Sequence, residues 1–129
     1  MGRSTLVLLV AVVLAGCVGD DLSDSAEPVE VGVFAAARDD GAVVVDVRTP
    51  EETAEGIVPG ALLMPVAAGD FAEKVAALDP AASYAIYCRT ENRSAAAREK
   101  FRAAGITEVI HLRGGFDAWV QAGHEFEVP

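Results

Sequence analysis

Metal-binding side chains and basic residues are both scarce in this sequence. Its 129 residues include only two cysteines and two histidines, His111 and His124. No pattern places either histidine beside a cysteine, so we expect no metal and no other cofactor. Ten Lys and Arg stand against twenty Asp and Glu, which gives a formal net charge of -10. Such a surface repels nucleic acid and anionic lipid headgroups, and we expect no nucleic-acid partner.

Long apolar runs are also lacking, apart from one near the start of the chain. Residues 6–15 are all apolar, and Arg3 is the only charged residue before them. A membrane-spanning helix needs roughly 20 apolar residues, whereas a run of about 7 to 15 is typical of a secretory signal peptide. We therefore interpret residues 1–16 as a signal peptide that is removed on export.

The apolar run ends in Leu-Ala-Gly-Cys at residues 14–17. This motif resembles the lipobox of bacterial lipoproteins, in which the cysteine is lipidated and becomes the first residue of the mature protein. The resemblance implies a lipid anchor at Cys17 that holds the protein on the outer face of the cytoplasmic membrane or in the periplasm. The alternative is an ordinary signal peptide followed by an incidental cysteine.

Cysteine usage then singles out one thiol. If Cys17 carries lipid, Cys88 is the only thiol left and no internal disulfide can form. A free cysteine outside the cell is open to oxidation, so its presence indicates either deep burial or chemical use.

Folded structure is expected from residue 29 onward. Residues 17–28 are small and acidic with no apolar periodicity, which predicts a flexible tether. Residues 29–129 alternate short β-branched runs with helical patterns, which is the order of parallel strands joined by crossover helices. The chain length and its 52% hydrophobic composition fit one α/β domain.

The strands are the clearest elements. Residues 42–47, 83–87 and 108–112 are short, mostly apolar runs, and weaker candidates lie near Val29 and Leu62. Strands that are apolar along most of their length predict a sheet that helices cover on both faces.

Local signals mark where helices begin. Thr49 and Glu52 have the spacing of a capping box, and Asp70 and Glu73 repeat it. Residues 94–104 are rich in good helix formers and predict a third helix, which ends before a glycine.

Cys88 stands at the carboxyl end of a predicted buried strand, the edge where parallel sheets bind ligands. The loop after it, residues 89–93, is short enough to curl its backbone N–H groups around the sulfur, and the next helix points its positive end inward. Both effects stabilise a thiolate. Arg89 and Arg93 predict a basic mouth that attracts a small anion. The alternative is a small buried hydrophobe beside ordinary surface ion pairs.

Four segments resemble rhodanese domains in the same order. Residues 88–94, Cys-Arg-Thr-Glu-Asn-Arg-Ser, are similar to the family's active-site loop, commonly Cys-Arg-x-Gly-x-Arg-Ser. Residues 45–52 resemble its Asp-Val-Arg run, residues 58–61 its Ile-Pro-Gly-Ala turn and residues 112–123 its Gly-Gly-Phe-x-x-Trp stretch. Together they span about residues 29–128.

The resemblance implies a five-stranded, mostly parallel α/β domain that moves sulfane sulfur. A loop cysteine takes sulfur from a small anionic donor such as thiosulfate, holds it as a persulfide and passes it to a thiol or cyanide-like acceptor. Carried onto this sequence, Cys88 is the nucleophile. The substrate-binding loop is Arg89, Thr90, Glu91, Asn92 and Arg93, and its support comes from Ser94, Asp46 and Arg48, the last two by ion pairing.

Departures from the family pattern keep other functions in view. Glu91 stands where the family often has glycine, which predicts a restricted backbone angle, a carboxylate near the thiolate and slower catalysis. A rhodanese fold kept for docking is therefore the second hypothesis.

Phosphatase relatives need five residues between cysteine and arginine, whereas four separate Cys88 from Arg93, so we do not expect phosphate-ester hydrolysis. Gly114 and Gly115 predict a tight turn, with a wall of the active-site mouth as the alternative.

Overall fold

The computed structural model describes residues 26–129. The expected signal peptide, Cys17 and most of the tether lie outside the described residues. The elements, in chain order, are α1 Val31–Asp39, β1 Val43–Asp46, α2 Pro50–Thr53, β2 Leu62–Leu63, α3 Phe71–Ala76, β3 Tyr84–Tyr87, α4 Asn92–Ala103, β4 Val109–His111 and α5 Gly115–Gln121.

The strands form one parallel sheet in the order β2-β1-β3-β4. This confirms the α/β class with a parallel sheet, but residues 26–129 contain four strands where five were expected. The candidate near Val29 makes a single parallel bridge to Leu112. Because helix α1 already begins at Val31, the chain leaves the sheet before a second residue can pair.

The side chains of β3 point alternately to the two faces of the sheet, and each face has its own hydrophobic core. Ile86 points into a cluster that includes Phe101 of α4, while Tyr87 points into a second cluster with Phe34 of α1 and Trp119 of α5. Successive side chains of a strand point to opposite faces, so a strand that is apolar at every position is buried on both. This confirms the prediction of helices on both faces of the sheet.

One of the two predicted capping boxes is present. The Thr49 hydroxyl accepts a hydrogen bond from the Glu52 N–H, and the Glu52 carboxylate accepts one from the Thr49 N–H, both at 3.3 Å. Asp70 stands at the N-cap of α3 but makes no side-chain cap, because its backbone (φ -96°, ψ 6°) is already turned rather than extended. Helix α4 begins at Asn92, two residues earlier than expected.

No helix among residues 26–129 has both the length and the apolar character needed to cross a membrane.

Candidate active site

Cys88 follows β3 directly and is almost completely buried, with 1% of its surface exposed. Its Sγ lies 3.6 Å from the Ser94 hydroxyl, which itself donates to the carbonyl of Glu91 at 2.9 Å. Ser94 is fully buried in the first turns of α4. The hydroxyl therefore links the sulfur to the backbone of the loop, and Ser94 lies in the supporting position that the sequence predicts.

The backbone N–H groups that follow Cys88 are left without protein partners. Within residues 26–129, none of the N–H groups from Arg89 to Ser94 donates a hydrogen bond to another residue, and the first to do so is that of Ala95, to the Glu91 carbonyl at 3.0 Å. The last three of these groups belong to the amino end of α4, which carries partial positive charge. Successive free N–H groups in a turn are a common way to bind an anion.

Glu91 forms the N-cap of α4 with φ -175° and ψ -16°, which lies outside the positive-φ region that favours glycine. In the described part of the chain, positive φ angles occur only at glycines. The expectation that Glu91 restricts a backbone angle is therefore wrong. What Glu91 brings to the loop is its charge, since its carboxylate makes no ion pair among the described residues.

Arg93 is held by a carboxylate from across the loop. Its guanidinium donates to both carboxylate oxygens of Glu52 in α2, at 2.6 and 2.9 Å. These hydrogen bonds raise the pKa of Arg93 and lower that of Glu52 to about 2. Arg89 is 66% exposed, and its Nε lies 3.7 Å from a carboxylate oxygen of Asp117. The expectation of a basic mouth is wrong, because each arginine of the loop faces a carboxylate.

Asp46 and Arg48 form the buried ion pair that the sequence predicts. The guanidinium of Arg48 lies 2.8 Å from one Asp46 oxygen, and the two side chains are 4% and 0% exposed. The same guanidinium also donates to the Gly56 carbonyl at 2.6 Å and lies 4.2 Å from the ring centre of Phe116. The pair thus braces the segment after β1 against both the 54–60 turn and helix α5.

Two glycines place the amino end of α5 directly on the cysteine loop. Gly114 and Gly115 have φ angles of +72° and +58°, and a Cβ on Gly115 would overlap the backbone of Cys88 and Arg89. The close approach lets the Phe116 N–H donate to the Cys88 carbonyl at 2.8 Å. Gly115 is therefore part of a tight turn, as the sequence predicts, and its backbone lies directly against that of Cys88 and Arg89.

A cleft of about 450 Å³ adjoins the cysteine loop. No sequence signal points to it, because its walls come from segments far apart in the chain. It is lined by Arg48, Glu52, Glu55, Arg89, Phe116, Asp117, Val120, Gln121 and Phe126.

The sequence is similar to known proteins over most of the described domain. The profile of the rhodanese-like domain matches residues 30–122. A sulfurtransferase of Allochromatium vinosum is 33% identical over 87 residues, which cover 67% of this chain and 79% of that protein. The thiosulfate sulfurtransferase GlpE of Pseudomonas aeruginosa is 31% identical over 98 residues, covering 76% and 87%. The protein slr1261 of Synechocystis sp. is 34% identical over 86 residues, but the match spans only 47% of its length.

Solved structures share the fold. A rhodanese-related protein of Thermoplasma volcanium superposes with a TM-score of 0.71 at 25% identity, covering 80% of this chain and 99% of that one. The human single-domain sulfurtransferase TSTD1 superposes with a TM-score of 0.61 over 73% of this chain and 95% of its own, and at 24% identity it shows similarity of fold alone.

Proposed function

Because this chain belongs to the rhodanese-like domain family, we propose that it is a sulfurtransferase that carries sulfane sulfur as a persulfide on Cys88. The relatives named sulfurtransferase support transfer of sulfur in general. The observation that carries the assignment to Cys88 is the run of free N–H groups from Arg89 to Ser94, directly after the only cysteine of the described residues. These donors suit the single negative charge on the outer sulfur of a persulfide.

The proposed reaction has two displacement steps. The Cys88 thiolate attacks the outer sulfur of thiosulfate, a new S–S bond forms, and sulfite leaves with the electron pair of the bond that breaks. A nucleophilic acceptor then attacks the outer sulfur of the persulfide. Thiocyanate forms from cyanide, or a new persulfide from a thiol, and the Cys88 thiolate returns. Splitting the transfer in this way is covalent catalysis, and it needs no external oxidant.

The supporting contacts keep the loop in one shape through both steps. The Glu52 carboxylate fixes Arg93 at the amino end of α4, and the amide of Phe116 fixes the Cys88 carbonyl. A cradle that is already ordered does not have to reorganise when the charge moves to the outer sulfur.

The test compares the full chain with Cys88→Ser and, as the matched control, Cys17→Ser. After treatment with thiosulfate, polysulfide or mercaptopyruvate, we expect intact mass to show one added sulfur in the wild type and in Cys17→Ser but none in Cys88→Ser. Thiocyanate formation from cyanide should follow the same pattern. If no donor adds sulfur to the wild type, or if Cys88→Ser retains transfer, the proposal is wrong.

A second candidate is a docking module that keeps the fold and little of the chemistry. It is favoured by the 1% exposure of Cys88 and by the carboxylate of Glu91, which has no ion-pair partner in the described part of the chain. The rate of iodoacetamide alkylation at neutral pH separates the two, since a thiolate reacts and a buried thiol does not. Alkylation of Cys88 no faster than that of an unfolded cysteine would favour docking.

We also propose, from the sequence motif at residues 14–17, that the protein is exported and anchored by lipid at Cys17. The mass of the expressed protein and its partitioning into detergent test this. An unmodified Cys17 or a purely aqueous product would contradict it.

A further inference from the structure

The cleft beside the cysteine loop indicates which acceptors fit the site. We propose that it binds an organic thiol that has an apolar body and carries no negative charge apart from that of its reacting sulfur, and that this thiol receives the sulfur from Cys88. The inference rests on the sulfurtransferase function proposed above and adds to it the chemical class of the second substrate.

The position of the cleft ties it to the sulfur. Arg89, the residue after Cys88, forms one wall, and Phe116, whose amide donates to the Cys88 carbonyl at 2.8 Å, forms another. Its volume of about 450 Å³ lies within the range of roughly 300–1,000 Å³ typical of sites for organic ligands. Thiosulfate and cyanide are far smaller than this space.

Exposed apolar side chains form part of the wall of the cleft. Phe126 and Val120 are 48% and 40% exposed, and the rings of Phe126 and Phe116 meet edge to face with their centres 5.9 Å apart. Aromatic surface left open to water inside a concave site favours a partner with apolar surface of its own. The carbon skeleton of an organic thiol supplies such surface, and an inorganic anion does not.

Among the described residues, the charges that line the cleft leave no free cation. Arg48 is paired with the buried carboxylate at the end of β1, Arg89 faces Asp117, and Glu52 is held by Arg93. Glu55 lines the cleft and makes no ion pair within residues 26–129. One unmatched carboxylate about 6 Å from a ligand charge in water changes binding by roughly threefold, in favour of a cation and against an anion.

The experiment loads the Cys17→Ser form of the full chain with sulfur and then measures single-turnover discharge by thiols that differ in charge. The probes are 2-aminoethanethiol, 2-mercaptoethanol and 3-mercaptopropionate, with benzyl mercaptan as the apolar probe. Because these thiols differ in intrinsic reactivity, each rate is compared between variants for the same thiol. Glu55→Gln tests the charge, with Glu51→Gln on the exposed side of α2 as its control. Phe126→Ala tests the apolar wall, with Val128→Ala as its control.

We expect Glu55→Gln to slow discharge by 2-aminoethanethiol about threefold and to speed discharge by 3-mercaptopropionate. The rate of discharge by the uncharged 2-mercaptoethanol should stay the same. Phe126→Ala should slow discharge by benzyl mercaptan several-fold more than discharge by 2-mercaptoethanol. The proposal is overturned if sulfur is loaded on Cys88 but Glu55→Gln and Phe126→Ala behave like their controls. Failure to load Cys88 at all would instead refute the sulfurtransferase function, and this inference with it.

Discussion

Gly115→Ala tests whether the docking of α5 onto the cysteine loop is needed for sulfur transfer. At a φ of +58°, an alanine costs ~1–2 kcal/mol in backbone strain. Its Cβ would also overlap the carbonyl groups of Cys88 and Arg89, so α5 has to move away from the loop. That movement breaks two hydrogen bonds, from the Phe116 N–H to Cys88 and from the Asp117 N–H to Arg89.

Each of the two bonds contributes ~0.5–1.5 kcal/mol, so the total loss for Gly115→Ala is ~2–5 kcal/mol. Gly123→Ala is the matched control, because Gly123 has a φ of +83° and no atom within 4 Å of a built Cβ. It should lose only the ~1–2 kcal/mol of backbone strain. Urea unfolding gives the free energies, and the rate of persulfide loading on Cys88 gives the functional effect.

The expected result is a larger loss of stability for Gly115→Ala and a loading rate at least about tenfold lower than that of Gly123→Ala, because the loop loses its backbone support. Equal stability losses and equal loading rates for the two variants would show that α5 does not hold the loop. Gly115 would then be a turn residue with no part in supporting the site.

Two further predictions concern single contacts. Glu52→Gln keeps the capping pattern but removes the charge that faces Arg93, so it should cost about 1 kcal/mol at neutral pH for a partly exposed pair. Because the pKa of Glu52 is lowered to about 2, the wild type should lose its extra free energy of unfolding over Glu52→Gln as pH falls from about 4.5 to about 2. If the urea unfolding curves of the two proteins stay as far apart at pH 2 as at neutral pH, this prediction is wrong. Tyr87→Phe leaves the buried N–H of Val58 without its acceptor at 3.0 Å and should cost ~1–3 kcal/mol. The Tyr84 hydroxyl donates to a part-buried carbonyl, so Tyr84→Phe should cost less. A larger stability loss for Tyr84→Phe than for Tyr87→Phe would show that the Tyr87 hydroxyl is not needed by the Val58 N–H.

The central strands and the cysteine loop could be predicted from the sequence because their signals are local. Mostly apolar runs predict β1 and β3 to within one residue at each end. Helix α1 could not be predicted because it begins with Val-Gly-Val, which are weak helix formers. Its place is set by Phe34, which is fully buried against Tyr87 and Trp119 from distant parts of the chain.

The ion pairs of Arg89 and Arg93 could not be predicted, because their carboxylate partners come from distant parts of the chain. Glu52 and Arg93 are 41 residues apart, and nothing in their local sequence indicates that they meet. The same holds for the contact of Gly115 with Cys88, which depends on how α5 packs. The local pattern therefore locates the loop correctly, whereas the pairing of its arginines emerges only in the folded chain.

We expect glutamate at position 91, where the family often has glycine, to act on sulfur loading through its charge and not through the shape of the loop. Its φ of -175° is not one of the positive values that favour glycine, so the run of free N–H groups from Arg89 to Ser94 does not require a glycine there. A carboxylate in the loop repels a dianion such as thiosulfate. This repulsion is Coulombic and weakens as the Debye length falls below about 8 Å at higher salt. Glu91→Gln should therefore speed loading by thiosulfate more at low than at high ionic strength, and a difference between the two proteins that does not change with salt would contradict a role through charge.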